Sequence, residues 1–137
     1  MTKAPVPGTV VSERLHLPLL TASRQERMLD GDFASVESEI GVRLPNWWLA
    51  EHEGLIRFRL GQIKENPGAE PWLLRAIALR PGAPGTPGAE LPAAIGLINF
   101  HGPPDDRGFV EVGYELRPEH RGRGYAREAV RALFDWA

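Results

Sequence analysis

Apolar positions along this chain change their period more than once, and each change marks an element. From Thr9 to Leu17 the alternation of Val11, Arg14, Leu15 and Leu17 predicts a first strand, which Pro18 ends. Helical spacing then takes over. Thr21 or Ser23 caps a short helix through Asp30, and Asp32 caps a second from Phe33 to Ile40 that Gly41 stops. Pro45 reads as a first-turn proline, and Trp48, Leu49, His52, Leu55, Ile56, Arg59, Leu60 and Ile63 keep one helical stripe to about Asn66. Gly54 weakens that helix by about 1 kcal/mol relative to alanine. Asn66-Pro67-Gly68 terminates it. Trp47 and Trp48 are adjacent and cannot share one core position, so one of them is expected to face a cleft or another subunit.

The second half reads differently. Trp72 to Leu79, Ala93 to Phe100 and Phe109 to Leu116 are short apolar runs with turn-rich connections, Pro81 to Pro92 being a Pro/Gly loop. They predict three antiparallel strands in a meander. Their hydrophobicity is nearly continuous, so helices are expected on both faces of the sheet. The last segment, Arg127 to Ala137, is an amphipathic helix. Its expected apolar face is Ala126, Val130, Leu133, Phe134 and Ala137, with Arg127, Glu128, Arg131 and Asp135 opposite.

Composition narrows the class without naming a chemistry. The 137 residues suit one domain, 1–137, with an ordinary core. A formal charge of -2 gives no reason to expect nucleic-acid binding. No stretch of 18 apolar residues occurs, and the first residues lack the apolar run of a signal peptide, so a cytoplasmic protein without membrane contact is expected. Cysteine is absent, which excludes disulfides, thiolate metal sites and a cysteine nucleophile within the chain; no metal site is expected.

Specific chemistry enters at Arg117-Pro118-Glu119-His120-Arg121-Gly122-Arg123-Gly124-Tyr125-Ala126, between the third strand of the meander and the final helix. Two glycines at such a junction let consecutive N–H groups approach a bound group. The following helix adds unpaired donors and roughly half a positive charge at its N-terminus. Such a turn suits phosphate. A P-loop is excluded, because no Gly-Lys-Ser/Thr occurs, and Arg127 stands where a dinucleotide fingerprint wants glycine or alanine.

Strand, turn and helix together resemble the GNAT superfamily of acetyl-CoA-dependent N-acetyltransferases. The hallmark Gln/Arg-x-x-Gly-x-Gly/Ala is met by Arg121-Gly122-Arg123-Gly124-Tyr125-Ala126. Ser12-Glu13-Arg14-Leu15, Val112-Gly113-Tyr114 and Glu128-Ala129 are similar to the RimJ/RimL-type branch, over most of residues 9 to 137. The resemblance implies an α/β (α+β) fold, a mixed and mostly antiparallel sheet flanked by helices. It also implies that backbone N–H groups of Gly122, Arg123, Gly124, Tyr125, Ala126 and Arg127 hold the coenzyme A pyrophosphate, with Arg121 and Arg123 near its phosphates. Tyr114, Glu115 and Leu116 would pair through their backbones with the pantetheine arm.

For catalysis the resemblance is less specific. Some relatives carry a general base four residues before the first pantetheine-pairing residue, which here is Val110. Glu111, one position away, is the candidate carboxylate and points to the other face unless a bulge intervenes. His101 is a second titratable candidate, and Trp47, Trp48 and Tyr114 are candidates for an acceptor pocket. The acceptor class is a primary amine, either a protein N-terminus or a small molecule. The family continues past this helix with further strands that complete the cleft, so the chain is expected to be a truncated domain or to be completed by another chain, for instance in a homodimer. A noncatalytic acyl-CoA-binding module remains an alternative reading.

Overall fold

The computed structural model describes residues 8–80 and 91–137. A five-stranded antiparallel sheet runs in chain order: β1 (Val10–Val11), β2 (Leu15–Leu17), β3 (Arg75–Leu79), β4 (Ala94–Phe100) and β5 (Val112–Leu116). Between β2 and β3 lie α1 (Ala22–Leu29), α2 (Phe33–Ile40), α3 (Asn46–Glu65) and a 3₁₀ turn, Pro67–Trp72. A second 3₁₀ turn, Pro118–His120, and α4 (Tyr125–Trp136) follow β5. The meander of β3, β4 and β5 and the sheet with helices on both faces agree with the sequence reading.

Helix starts follow side-chain capping chemistry. Thr21 accepts from the Arg24 N–H ahead of α1, and Asp32 accepts from the Ser35 N–H ahead of α2. Gly41 closes α2 with φ 70°, a left-handed conformation that costs glycine nothing. Pro45 stands at the N-cap of α3, one position outside the helix, and contributes no side-chain cap. The buried stripe of α3 is Trp48, His52, Ile56, Arg59 and Ile63, a subset of the predicted one.

Two cores sandwich the sheet. On one face α1, α2 and α3 pack Met28, Val36, Ile40, Trp48 and Ile56 against Ala76, Ala78 and Leu97. On the other, α4 packs Tyr125, Ala129, Ala132 and Leu133 against Leu15, Leu17, Ile98 and Leu116. The register of β4 with β5 pairs Gly96 with Leu116, Leu97 with Glu115 and Ile98 with Tyr114. A Cβ on Gly96 would lie 2.0 Å from the Glu115 carbonyl oxygen, so only glycine permits this approach.

Several expectations are corrected. The single strand from Thr9 to Leu17 is a hairpin of β1 and β2, pairing Val10 with Leu17 and Val11 with His16. The reversal is local: Ser12 N–H donates to the Leu15 carbonyl, and the Ser12 hydroxyl oxygen accepts from the Leu15 N–H. Trp72 ends the 3₁₀ turn instead of opening β3, and β5 begins at Val112 and not at Phe109. The buried stripe of α4 is turned from the expected one: Phe134 is exposed, while Ala129 and Ala132 are buried. Beginning at Tyr125 gives a 3.6-residue stripe of Tyr125, Ala129, Ala132 and Leu133 under which the small alanines let the helix approach the sheet. The Pro81 to Pro92 loop lies outside the described residues except for its last two positions. No helix among the described residues is long and apolar enough to cross a membrane.

Candidate functional site

The turn that follows β5 alternates its backbone in a way few sequences allow. Gly122 has φ 78° and Gly124 φ 81°, both left-handed, while Arg121 is extended at φ -75°, ψ 159°. Gly124 is the N-cap of α4 and has no side chain with which to cap it. The first-turn N–H groups of Tyr125, Ala126 and Arg127 therefore stay free of a side-chain cap and carry the positive end of the helix dipole. A Cβ on Gly122 would meet nothing within 4 Å, so the space over the turn is open.

This turn forms one wall of a groove of about 840 Å³ whose other wall is β5. Every coenzyme candidate named from the sequence lines it except Arg123: Tyr114, Glu115 and Leu116 from β5, then Arg121, Gly122, Gly124, Tyr125, Ala126 and Arg127. Arg131, one turn along α4, adds another cation. Among the described residues β5 is the last strand of the sheet, with β4 on one side only, so its other edge is open to a pairing ligand.

Arg123 does not line the groove, and its carbonyl accepts from Arg14 Nη1 at 2.9 Å. Arg14 also donates from its N–H (2.8 Å) and Nε (2.6 Å) to the Glu128 carboxylate, which accepts from the Ser12 hydroxyl as well. Its guanidinium lies 4.6 Å from the centre of the Tyr125 ring. The β1–β2 hairpin is thereby tied to the start of α4. Sequence reasoning noted Ser12-Glu13-Arg14-Leu15 and Glu128 separately; the contact joining them spans more than 110 residues and leaves no local signal.

Glu111, the base expected from the sequence, does not line the groove. It precedes β5, its side chain is 81% exposed, and it pairs with His101 Nδ1 at 3.0 Å. That contact unites two sequence candidates at an exposed position outside the groove.

A different cluster was missed because helical spacing explained its members as core. His52 on α3 is 5% exposed, and its Nε2 lies 3.3 Å from Glu115 Oε2. Trp48, wholly buried, packs edge-on to His52 with centroids 4.9 Å apart and donates from Nε1 to the Gly96 carbonyl. Trp47 is half-buried under the Arg117 guanidinium, 4.4 Å from its ring centre. Arg117 also binds Glu51 at 2.6 Å. Glu51, His52 and Glu115 bring one ligand-type atom each within 4.8 Å of one another, but the Arg117 cation already neutralises Glu51.

Comparison with known proteins accords with this geometry. The family model described as an acetyltransferase (GNAT) domain matches residues 26–137, and the chain belongs to that family. A crystal structure of an acetyltransferase from Agrobacterium tumefaciens str. C58 matches all of this chain and 68% of its own, with a TM-score of 0.50 and 27% identity. An uncharacterized N-acetyltransferase of Bacillus subtilis (strain 168), YjdG, is 40% identical over 43 residues, or 31% of this chain. That match spans about a quarter (26%) of the relative's length. The fold is the GNAT α/β fold.

Proposed function

We propose that this chain binds acetyl-CoA in the groove between β5 and α4 and transfers the acetyl group to a primary amine by direct attack in a ternary complex. The observation that carries this reading is the left-handed Gly122–Gly124 turn feeding an uncapped helix N-terminus beside an open strand edge. The residues fit the coenzyme: N–H groups from Gly122 to Arg127 suit a pyrophosphate, Arg121 and Arg127 add charge, and the backbone of Tyr114, Glu115 and Leu116 suits the amide-bearing pantetheine arm. The bound thioester supplies an activated acyl carbon. Residues 1–137 act as one GNAT-type domain unit, and the Ser12–Leu15 and Val112–Tyr114 text favours the RimJ/RimL-like branch.

The absence of cysteine leaves no acyl-cysteine route within the chain. The leaving thiol, with a pKa near 8.5 by analogy with cysteine, departs as thiolate with modest assistance. The reaction is read by free-thiol release from acetyl-CoA across a panel of small amines and peptide N-termini. Amine-dependent release supports transfer; coenzyme binding with no release on any amine contradicts it.

A further inference from the structure

We infer that His52 and Glu115 form the acid–base pair for the acceptor amine, with Glu115 touching the substrate ammonium as its base and His52 holding that carboxylate in place. The inference rests on the acetyl-transfer reading above and assigns the side of the strand from which the acceptor arrives.

Placement comes first. Glu115 pairs across the ladder with Leu97, which packs in the α1–α3 core, whereas its neighbour Tyr114 pairs with Ile98, which packs against α4. Side chains alternate along a strand, so the Glu115 carboxylate emerges on the α3 face while the glycine turn lies on the α4 face. The two components of a transfer reaction thus have separate approaches to one strand edge. Glu115 is half-exposed at 52%, so solvent-borne cations reach its carboxylate. His52 is almost wholly enclosed.

The hydrogen-bond inventory sets the roles. Among the described residues His52 Nδ1 is buried and has no partner. A hydrogen there would be a buried donor without an acceptor, so the ring proton belongs on Nε2, where Glu115 Oε2 accepts it. The imidazole lone pair then points into the core and cannot serve as base. Glu115 Oε1 has no hydrogen bond among the described residues and is the free basic atom. The Trp48 and Trp47 rings, 4.9 and 6.3 Å from the imidazole, hold it edge-on. The other charged groups at this face are Glu51, on the same helix, and Arg117 and Glu119, just past β5; Arg117 pairs with both of these carboxylates. Among the described residues Glu115 has no lysine or arginine partner, and its negative charge is left to attract a primary ammonium.

The step balances simply. Glu115 takes one proton from R–NH3+, and the freed nitrogen lone pair forms the C–N bond to the acetyl carbon as the C–S bond breaks, its electron pair going to sulfur. The second N–H proton passes through solvent to the thiolate, leaving the amide and CoA thiol, and Glu115 releases the first proton to solvent.

The test uses the full chain. Nitrogen NMR of the His52 ring at pH 7 is expected to show the Nε2–H tautomer; an Nδ1–H tautomer overturns the pair without reference to turnover. Glu115→Gln is expected to lower kcat/KM for amine acetylation by about 100-fold or more while acetyl-CoA affinity stays within about threefold. His52→Leu is expected to lower kcat for the amine about tenfold while acetyl-CoA affinity stays unchanged, and His52→Gln, which keeps a donor, to restore it. A merely structural His52 would lower stability without that split or rescue. Turnover by Glu115→Gln within threefold of wild type overturns the pair and leaves the proposed function standing. Failure of the wild type to bind acetyl-CoA overturns both, and binding without turnover of any amine overturns the pair while the coenzyme site stands.

Discussion

Arg14 and Glu128 meet at 2.6 Å, and this contact fixes the start of α4 against the β1–β2 hairpin. The Glu128 carboxylate accepts from Ser12 and twice from Arg14, while Arg14 Nη1 reaches the Arg123 carbonyl between the two glycines of the turn. Removing this carboxylate should therefore disturb the groove wall as well as the fold. Glu128→Ala is expected to cost about 2 kcal/mol, the scale for a charged hydrogen-bonded group, and to weaken acetyl-CoA binding about tenfold. Urea unfolding and calorimetry check the two effects.

The same contact carries an acid dependence. Burial works to raise the Glu128 carboxyl, but hydrogen bonds from Ser12 and Arg14 outweigh it and hold it below the usual glutamate range. A depressed folded value means stability that is complete above the ordinary glutamate pKa and lost as pH falls through the folded one. Wild type should therefore lose stability below about pH 4 more steeply than Glu128→Gln, measured as urea midpoints at stepped pH.

His16 adds a dependence of the same sign at higher pH. Burial, with repulsion from Arg80, lowers its imidazole to about 4, and its Nε2 is buried without a partner. The unfolded chain takes up a proton near pH 6.5 that the folded chain refuses until about 4, so stability falls as pH drops through that window. The loss is at most about 3 kcal/mol, less where solvent screens the ring. His16→Val should flatten the curve between pH 7 and 4.5.

Gly96 sets the seating of the edge strand. The 2.0 Å approach a Cβ would make to the Glu115 carbonyl cannot be relieved by rotating a side chain, because both partners are backbone. Gly96→Ala should destabilise by about 3 kcal/mol or more and weaken coenzyme binding through β5. Thermal unfolding with and without acetyl-CoA separates the two losses.

Much of this architecture was legible from periodicity and punctuation. Thr21, Asp32 and Gly41 announce α1 and α2 because capping is local chemistry, and the meander follows from apolar runs broken by proline and glycine. The hairpin within Thr9–Leu17 was not legible: its turn is closed by Ser12 and has neither proline nor Asn-Gly to mark it. The groove between β5 and α4 was legible because its residues are consecutive across one junction. The His52–Glu115 contact was not, since it joins residues 63 apart and His52 sits on a helical stripe that core packing already explains. Glu111 drew notice by position alone, and its side chain is instead spent on His101.

Titration calorimetry of acetyl-CoA into wild type and Gly124→Glu asks whether the Gly122–Gly124 turn holds the coenzyme pyrophosphate. Gly124 has φ 81° and a Cβ position 3.3 Å from Arg14 Nη2, so Gly124→Ala is included to report the conformational cost by itself. Wild type is expected to bind in the micromolar range, Gly124→Ala to lose part of that affinity, and folded Gly124→Glu, whose carboxylate opposes the phosphates, to lose at least about 100-fold. Equal affinity of wild type and Gly124→Glu would contradict that role of the turn.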